Sequence, residues 1–184
     1  QVVGGSNPSG RAIKSRSYGV RVRVTDLVNL DAYPIQDIES PGAQALVTRC
    51  RQDLDKSALC TLEQFVSPDA LMAMKSEIDG MLNTAYRAEH KRTPYSWRYN
   101  LDFPDDHPRR ALHLNRYGYL LNHQFKEATL ISQLYEWTPL TEFVRHVLGF
   151  ETLYQTADPY LSIVINIMQT GDELAWHFDT NDGV

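Results

Sequence analysis

The chain has 184 residues, of which 42% are hydrophobic and 22% charged, and a net charge of −5. That length allows one sizeable core, and no run approaches the ~20 apolar residues of a helical membrane span, so a soluble globular domain without membrane partners is expected. Two cysteines, Cys50 and Cys60, are too few for a disulfide framework and lack zinc-ligand spacing, which fits a reducing, cytoplasmic setting.

Residues 1–17, rich in Gly, Ser and Pro, read as a flexible tail with no secretion signal, and both ends are expected to be trimmed. Tyr18 to Val24 alternates like a strand with its arginines toward solvent. Arg11, Lys14, Arg16, Arg21 and Arg23 stand without an acid in the first 25 residues, so the remainder carries −10. An acidic body repels phosphates, so small-molecule substrates are expected and nucleic acid is not.

Ser40-Pro41 predicts a helix to about Arg51, and the stretch from Ala58 to Val66 reads as a short strand. Ser67-Pro68-Asp69 then caps a second helix, predicted over residues 68–88 with Leu71, Met74, Ile78 and Leu82 on its apolar face. Residues 93–119 are dense in aromatics, arginines and prolines and read as a long loop of the kind that lines binding sites. Within it Arg98 or Arg116 can grip a substrate carboxylate through two parallel hydrogen bonds, with Tyr99 or Tyr117 closing the pocket; surface salt bridging is the competing reading. Further helices are predicted within residues 124–137 and from Thr138-Pro139 to Leu148, ending at Gly149, and the helices are expected to brace the outside of a sheet. His90, His107, His123 and His146 read as surface or loop residues, and His113 as a pocket residue rather than a metal ligand.

Tyr160 to Gln169 is β-branched and apolar, a buried strand with Leu161, Ile163, Ile165 and Ile167 on one face and Ser162, Val164, Asn166 and Met168 on the other. Thr170-Gly171-Asp172-Glu173 supplies turn chemistry, and Leu174 to Asp179 is expected to return as the second strand of a hairpin that brings Asn166 close to His177 and Asp179. Side chains at i and i+2 of a strand share a face, so His177 and Asp179 can converge on one ion. An imidazole nitrogen and a hard carboxylate suit Fe(II) and form two parts of a 2-His-1-carboxylate triad.

The run Ser162-Ile-Val-Ile-Asn166-Ile-Met-Gln-Thr-Gly171-Asp-Glu-Leu-Ala-Trp-His177-Phe-Asp179 resembles the strand, Gly-containing turn and His-x-Asp strand that open the double-stranded β-helix of Fe(II)/2-oxoglutarate-dependent oxygenases. The layout is similar to the branch of that superfamily that acts on free amino acids. The resemblance implies an α+β fold with a jelly-roll core braced by helices, residues 18–184 forming the N-terminal part of a single oxygenase domain. It implies that His177 and Asp179 bind Fe(II) and carry catalysis, and that Asn166 holds 2-oxoglutarate; Met168 stands where some members have an aromatic. A distal histidine and a basic residue for 2-oxoglutarate are implied beyond Val184. The implied activity is O2-dependent hydroxylation of an unactivated C–H bond of a small polar substrate, a free amino acid or derivative, with release of succinate and CO2. In related halogenases the position of Asp179 is Gly or Ala. Two alternatives stay open: a non-catalytic β-helix binding module or fragment, and, among enzymes, a nucleobase or peptidyl demethylase.

Overall fold

The computed structural model describes residues 23–96, 98–125 and 129–178. Residues 1–17 and most of the strand expected at Tyr18 lie outside that range; Val24 itself opens a short 3-10 helix, Val24–Asp26, held by the Arg23–Asp26 ion pair. The described residues form an α+β fold: four α-helices and one open, three-stranded antiparallel sheet.

The helices are α1 (Pro41–Ser57), α2 (Pro68–Asp79), α3 (Leu130–Tyr135) and α4 (Thr138–Leu148). Ser40 and Ser67 cap α1 and α2 as their sequences predict, each hydroxyl accepting a backbone N–H at 3.3 Å, with proline at the first helical position. α1 outruns its expected end because nothing between Arg51 and Ser57 breaks it, and it stops where Ala58 turns left-handed at φ 54°. α4 ends at Gly149, φ 71°, where a left-handed residue was expected. Removing one cap tests this local account: Ser67→Ala should cost about 1 kcal/mol in a urea melt, the usual worth of a serine cap.

α2 is shorter than the helix expected over residues 68–88 and keeps only part of the expected buried face. It stops at Asp79, and the chain enters strand β1 at Tyr86. Met74 is buried and Ile78 half-buried as expected, whereas Leu71 is 59% exposed and Ala70 is buried in its place.

The sheet runs β1 (Tyr86–Arg92), β2 (His113–Leu121), β3 (Val164–Ile167), in that spatial order. β1 and the body of β2 were not expected as strands. Neither contains a Val, Ile or Thr, and β1 is mostly charged, so apart from Tyr86, Tyr117 and Tyr119 local propensity is weak and pairing decides. The stretch from Ala58 to Val66, expected as a strand, contributes only one bridge, Val66 to Val28.

The core sits among the helices. One cluster joins Tyr33, Ile35, Leu46, Val47, Cys50 and Phe143; the other joins Leu27, Val28, Ala70, Met74 and Leu130. Neither contains a strand residue, so the helices pack mainly on one another and on the segment before α1 rather than bracing the sheet as expected. Cys50 lies inside the first cluster with Cys60 against it; both are free thiols, and burial, followed by the neighbouring Cys60, pushes the Cys50 thiol up to about 12. Among the described residues no helix is long and apolar enough to cross a membrane.

Candidate functional site

The segment leading to His177 takes a different path from the expected hairpin. β3 pairs antiparallel with β2, Ile167 opposite Gly118, and after the loop Glu173 pairs with Arg116 through two backbone hydrogen bonds of 2.7 and 2.8 Å. The register therefore advances along β2 in the same direction. Residues 168–172 bulge out of the sheet edge, and the chain after them continues β3's course instead of turning back on it.

Two arginines hold that bulge. Arg87 of β1 grips Asp172 at 2.8 and 2.6 Å, and Asp172 also accepts the Gln169 N–H at 2.8 Å. Arg116 donates to the Gly171 carbonyl and stands 3.9 Å from the Asp172 carboxylate and 4.0 Å from Glu89. Gly171 has φ 84°, which a residue with a side chain adopts only under strain. The Arg87 guanidinium, with the Gln169 N–H after it, holds the Asp172 carboxyl down at about 2. A depressed acid of this kind adds stability above its unfolded value near pH 4 and loses it as pH falls toward 2. Asp172→Asn should therefore flatten the decline of the urea midpoint between about pH 4 and pH 2; a decline as steep as that of the unaltered protein would remove Asp172 from that role.

Past the bulge, the Ala175 N–H donates to the Asn115 side chain at 3.1 Å, and the Phe178 N–H donates to the Pro94 carbonyl at 2.8 Å. Asn115 is 1% exposed, so this is a buried, satisfied amide at the start of β2. Tyr95 stacks on Phe178 at 5.1 Å, and the Arg109 guanidinium lies 5.3 Å from the Tyr95 ring centre. These contacts hold His177 at the end of the sheet where β1 finishes and β2 begins. The His177 Nδ1 lies 2.8 Å from the Ala175 carbonyl. A carbonyl only accepts, so Nδ1 donates in this contact, which makes Nε2 the nitrogen that a metal would take, with the other nitrogen fixed by the backbone. His177 thus fits a nitrogen ligand of a divalent ion. Asp179 lies outside the described residues.

Asn166 faces solvent opposite Tyr119, which stands opposite Tyr86. The strand expected from Tyr160 to Gln169 is present only over Val164–Ile167, where Ile165 and Ile167 take the more buried face and Val164 and Asn166 the exposed one; Leu161, expected on the buried face, precedes the strand and is 60% exposed. Four residues of β2 separate Tyr119 from Asn115, about 14 Å of strand, so Asn166 and the residues leading into His177 occupy different rows of the sheet.

Comparison with protein-family models, curated proteins and solved structures finds no match. The arrangement therefore speaks through its own geometry.

Arg116 and Tyr117 are neighbours on β2 and project to opposite faces. Tyr117 shares Asn166's face, with His90 edge-on at 6.3 Å and Tyr119 at 6.1 Å. Arg116, committed to Gly171, Asp172 and Glu89, has the salt-bridging role rather than that of a free substrate clamp. Arg98 is exposed, and its backbone carbonyl accepts from Thr93 at 2.7 Å, which shapes the turn after β1. Among the described residues no group of three or more His, Cys, Asp or Glu is placed to hold a metal ion.

The sequence reading missed the aromatic row on the Asn166 face. Tyr86 and Tyr119 lie 5.6 Å apart, and His123 bridges to Tyr160 at 4.8 Å. The signal was the period-2 Tyr117-x-Tyr119 within a stretch taken for a loop. A separate cleft of about 350 Å³, lined in part by Asn122, Tyr135, Gln155 and Asp158, opens beyond the other end of β2 and does not include His177.

Proposed function

We propose that this chain carries the opening strands of an Fe(II)/2-oxoglutarate-dependent dioxygenase that hydroxylates an unactivated C–H bond of a small polar substrate, a free amino acid or derivative, with release of succinate and CO2. On this reading the three-stranded sheet belongs to a double-stranded β-helix. The observation that carries it is the ordered run from Asn166 to Asp179, in which His177 is held as an Nε2 donor by the Ala175 carbonyl.

His177 and Asp179 would hold the iron and Asn166 would position 2-oxoglutarate; when bound, Fe(II) and 2-oxoglutarate would supply the electrons that activate O2, the oxidant, toward a C–H bond, the co-substrate leaving as succinate and CO2. The chain's own part is positional. The Ala175 carbonyl fixes the His177 ring, Asn115 and Pro94 fix the backbone on either side, and the Tyr95–Phe178 stack adds a side-chain contact beside the Pro94 anchor. The strand residues on Asn166's face include no carboxylate, since Glu89 and Arg116's partner Glu173 lie on the other face, and this suits an anionic co-substrate in a chain of net charge −5.

Anaerobic titration with Fe(II) and 2-oxoglutarate tests the proposal. The unaltered protein should develop a saturable visible charge-transfer band, and His177→Ala should lose it. Asn166→Ala should raise the 2-oxoglutarate concentration at half-saturation about 10- to 100-fold, the worth of one hydrogen bond to a charged group. No band, or a band that survives His177→Ala, overturns the reading.

A further inference from the structure

We propose that Arg109 is a positioning residue for His177: its guanidinium holds the Tyr95 ring against Phe178 and so steadies the backbone that presents the imidazole. For what His177 binds, the assignment rests on the oxygenase reading; for how His177 is held, it rests on the contacts of the loop between β1 and β2.

The chain after the bulge has few anchors. Glu173 pairs with Arg116 of β2, and beyond it the Ala175 N–H is bound by the Asn115 side chain and the Phe178 N–H by the Pro94 carbonyl. Phe178 adjoins His177, so the Pro94 anchor sets where the imidazole is carried. Tyr95 follows Pro94 and stacks on Phe178 at 5.1 Å with 29° between the ring planes, and Trp176 meets Phe178 edge-on at 4.6 Å. Backbone bond and ring stack therefore tie the same two short stretches together.

Arg109 extends this stack from the loop. Its guanidinium carbon lies 5.3 Å from the Tyr95 ring centre and 5.1 Å from that of Phe103, both within the range in which a ring face attracts a cation. The loop presents it firmly. The Arg109 N–H donates to His107 Nδ1 at 3.1 Å, its carbonyl accepts from the Asn100 side chain at 2.8 Å, and Phe103 packs on His107 at 4.4 Å. Arg110 next to it is matched to Asp105, whereas Arg109 forms no ion pair among the described residues, so its charge is left to the rings. A planar guanidinium stacks on a ring as well as being attracted to it, which a lysine ammonium cannot do. The result is a column, Phe103, Arg109, Tyr95, Phe178 and Trp176, that joins the loop to the residues on either side of His177. An exposed contact of this kind is worth about 2- to 5-fold in an equilibrium.

Two measurements on the full chain test the proposal: amide hydrogen exchange without metal, and Fe(II) titration of the 2-oxoglutarate charge-transfer band. Arg109→Ala should speed exchange of the Phe178 amide about 2- to 5-fold and raise Fe(II) half-saturation by a similar factor, with the α1 amides unchanged. Arg109→Lys, which keeps the charge, should do less on both. In a Tyr95→Leu background the effect of Arg109→Ala should vanish from both readouts, because the middle of the column is gone. Unchanged Phe178 exchange, equal acceleration in α1, an unchanged Fe(II) midpoint, or an effect that survives Tyr95→Leu overturns the proposal. The band separates the two levels: a band with Phe178 exchange indifferent to Arg109 sinks this assignment alone, whereas Tyr95-dependent exchange without a band sinks the oxygenase reading while Arg109 still positions His177.

Discussion

Asp179→Gly is expected to lower succinate formation from 2-oxoglutarate by at least about 100-fold, since loss of a partner one shell further out already costs 10- to 100-fold in metal sites. On the proposed reading the carboxylate would supply both a ligand oxygen and the negative charge that offsets a divalent cation, and glycine supplies neither. His177 remains, so residual iron binding is expected to be weak rather than absent, and Fe(II) half-saturation should rise alongside the loss of turnover. Succinate release and Fe(II) titration of the same preparation check both halves. Turnover equal to that of the unaltered protein would remove Asp179 from the metal shell and with it the activity proposed here.

Leu27→Ala should be the most damaging of the simple core truncations. Leu27 is 0% exposed and joins Val28, Ala70, Met74 and Leu130 in the cluster that ties the segment before α1 to α2 and α3. Its backbone carbonyl also receives the Ser67 N–H at 2.9 Å, which fixes the start of α2, so the surroundings have little freedom to collapse into the cavity. A loss of about 3–4 kcal/mol follows from burial and residual cavity together, and Tm should fall by roughly 10 °C for a chain of this size. Leu71→Ala is the control. At 59% exposure it should change stability by no more than about 0.5 kcal/mol in either direction. The two side chains are alike in chemistry, so thermal melts of the pair ask directly which face of α2 is packed; a large loss at Leu71 would restore the face predicted from sequence.

The contrast between those two leucines shows what kind of information each level holds. Helix starts and stops were legible because they depend on a few adjacent residues: Ser40-Pro41, Ser67-Pro68 and Gly149 each act through their own φ and their own hydrogen bonds. The alternation in β3 was legible because Ile165 and Ile167 set it themselves. The face of α2 was legible only in part: Met74 is buried as its spacing predicts, but the position of Leu27 and Leu130 selects Ala70 rather than Leu71 beside it. β1 and β2 were hidden for a related reason. Residues such as Glu89, Lys91, Asn115 and Gly118 have little strand preference, and they are extended because each finds its β1–β2 partner 23 to 31 residues away.

The site divides in the same way. The sequence by itself determined the chemistry available near its end: an imidazole and a carboxylate two residues apart after a strand, with an asparagine eleven residues before the histidine. The tertiary structure alone decided that residues 168–172 bulge and the chain after them runs on along β2, that Arg116 braces this bulge while Tyr117 faces the other way, and that the Phe178 N–H is anchored on the Pro94 carbonyl at the end of β1. Residue identity fixes which bonds a side chain can make; which of them it does make depends on long-range pairing, and that pairing is a property of the whole sheet rather than of any short stretch of sequence.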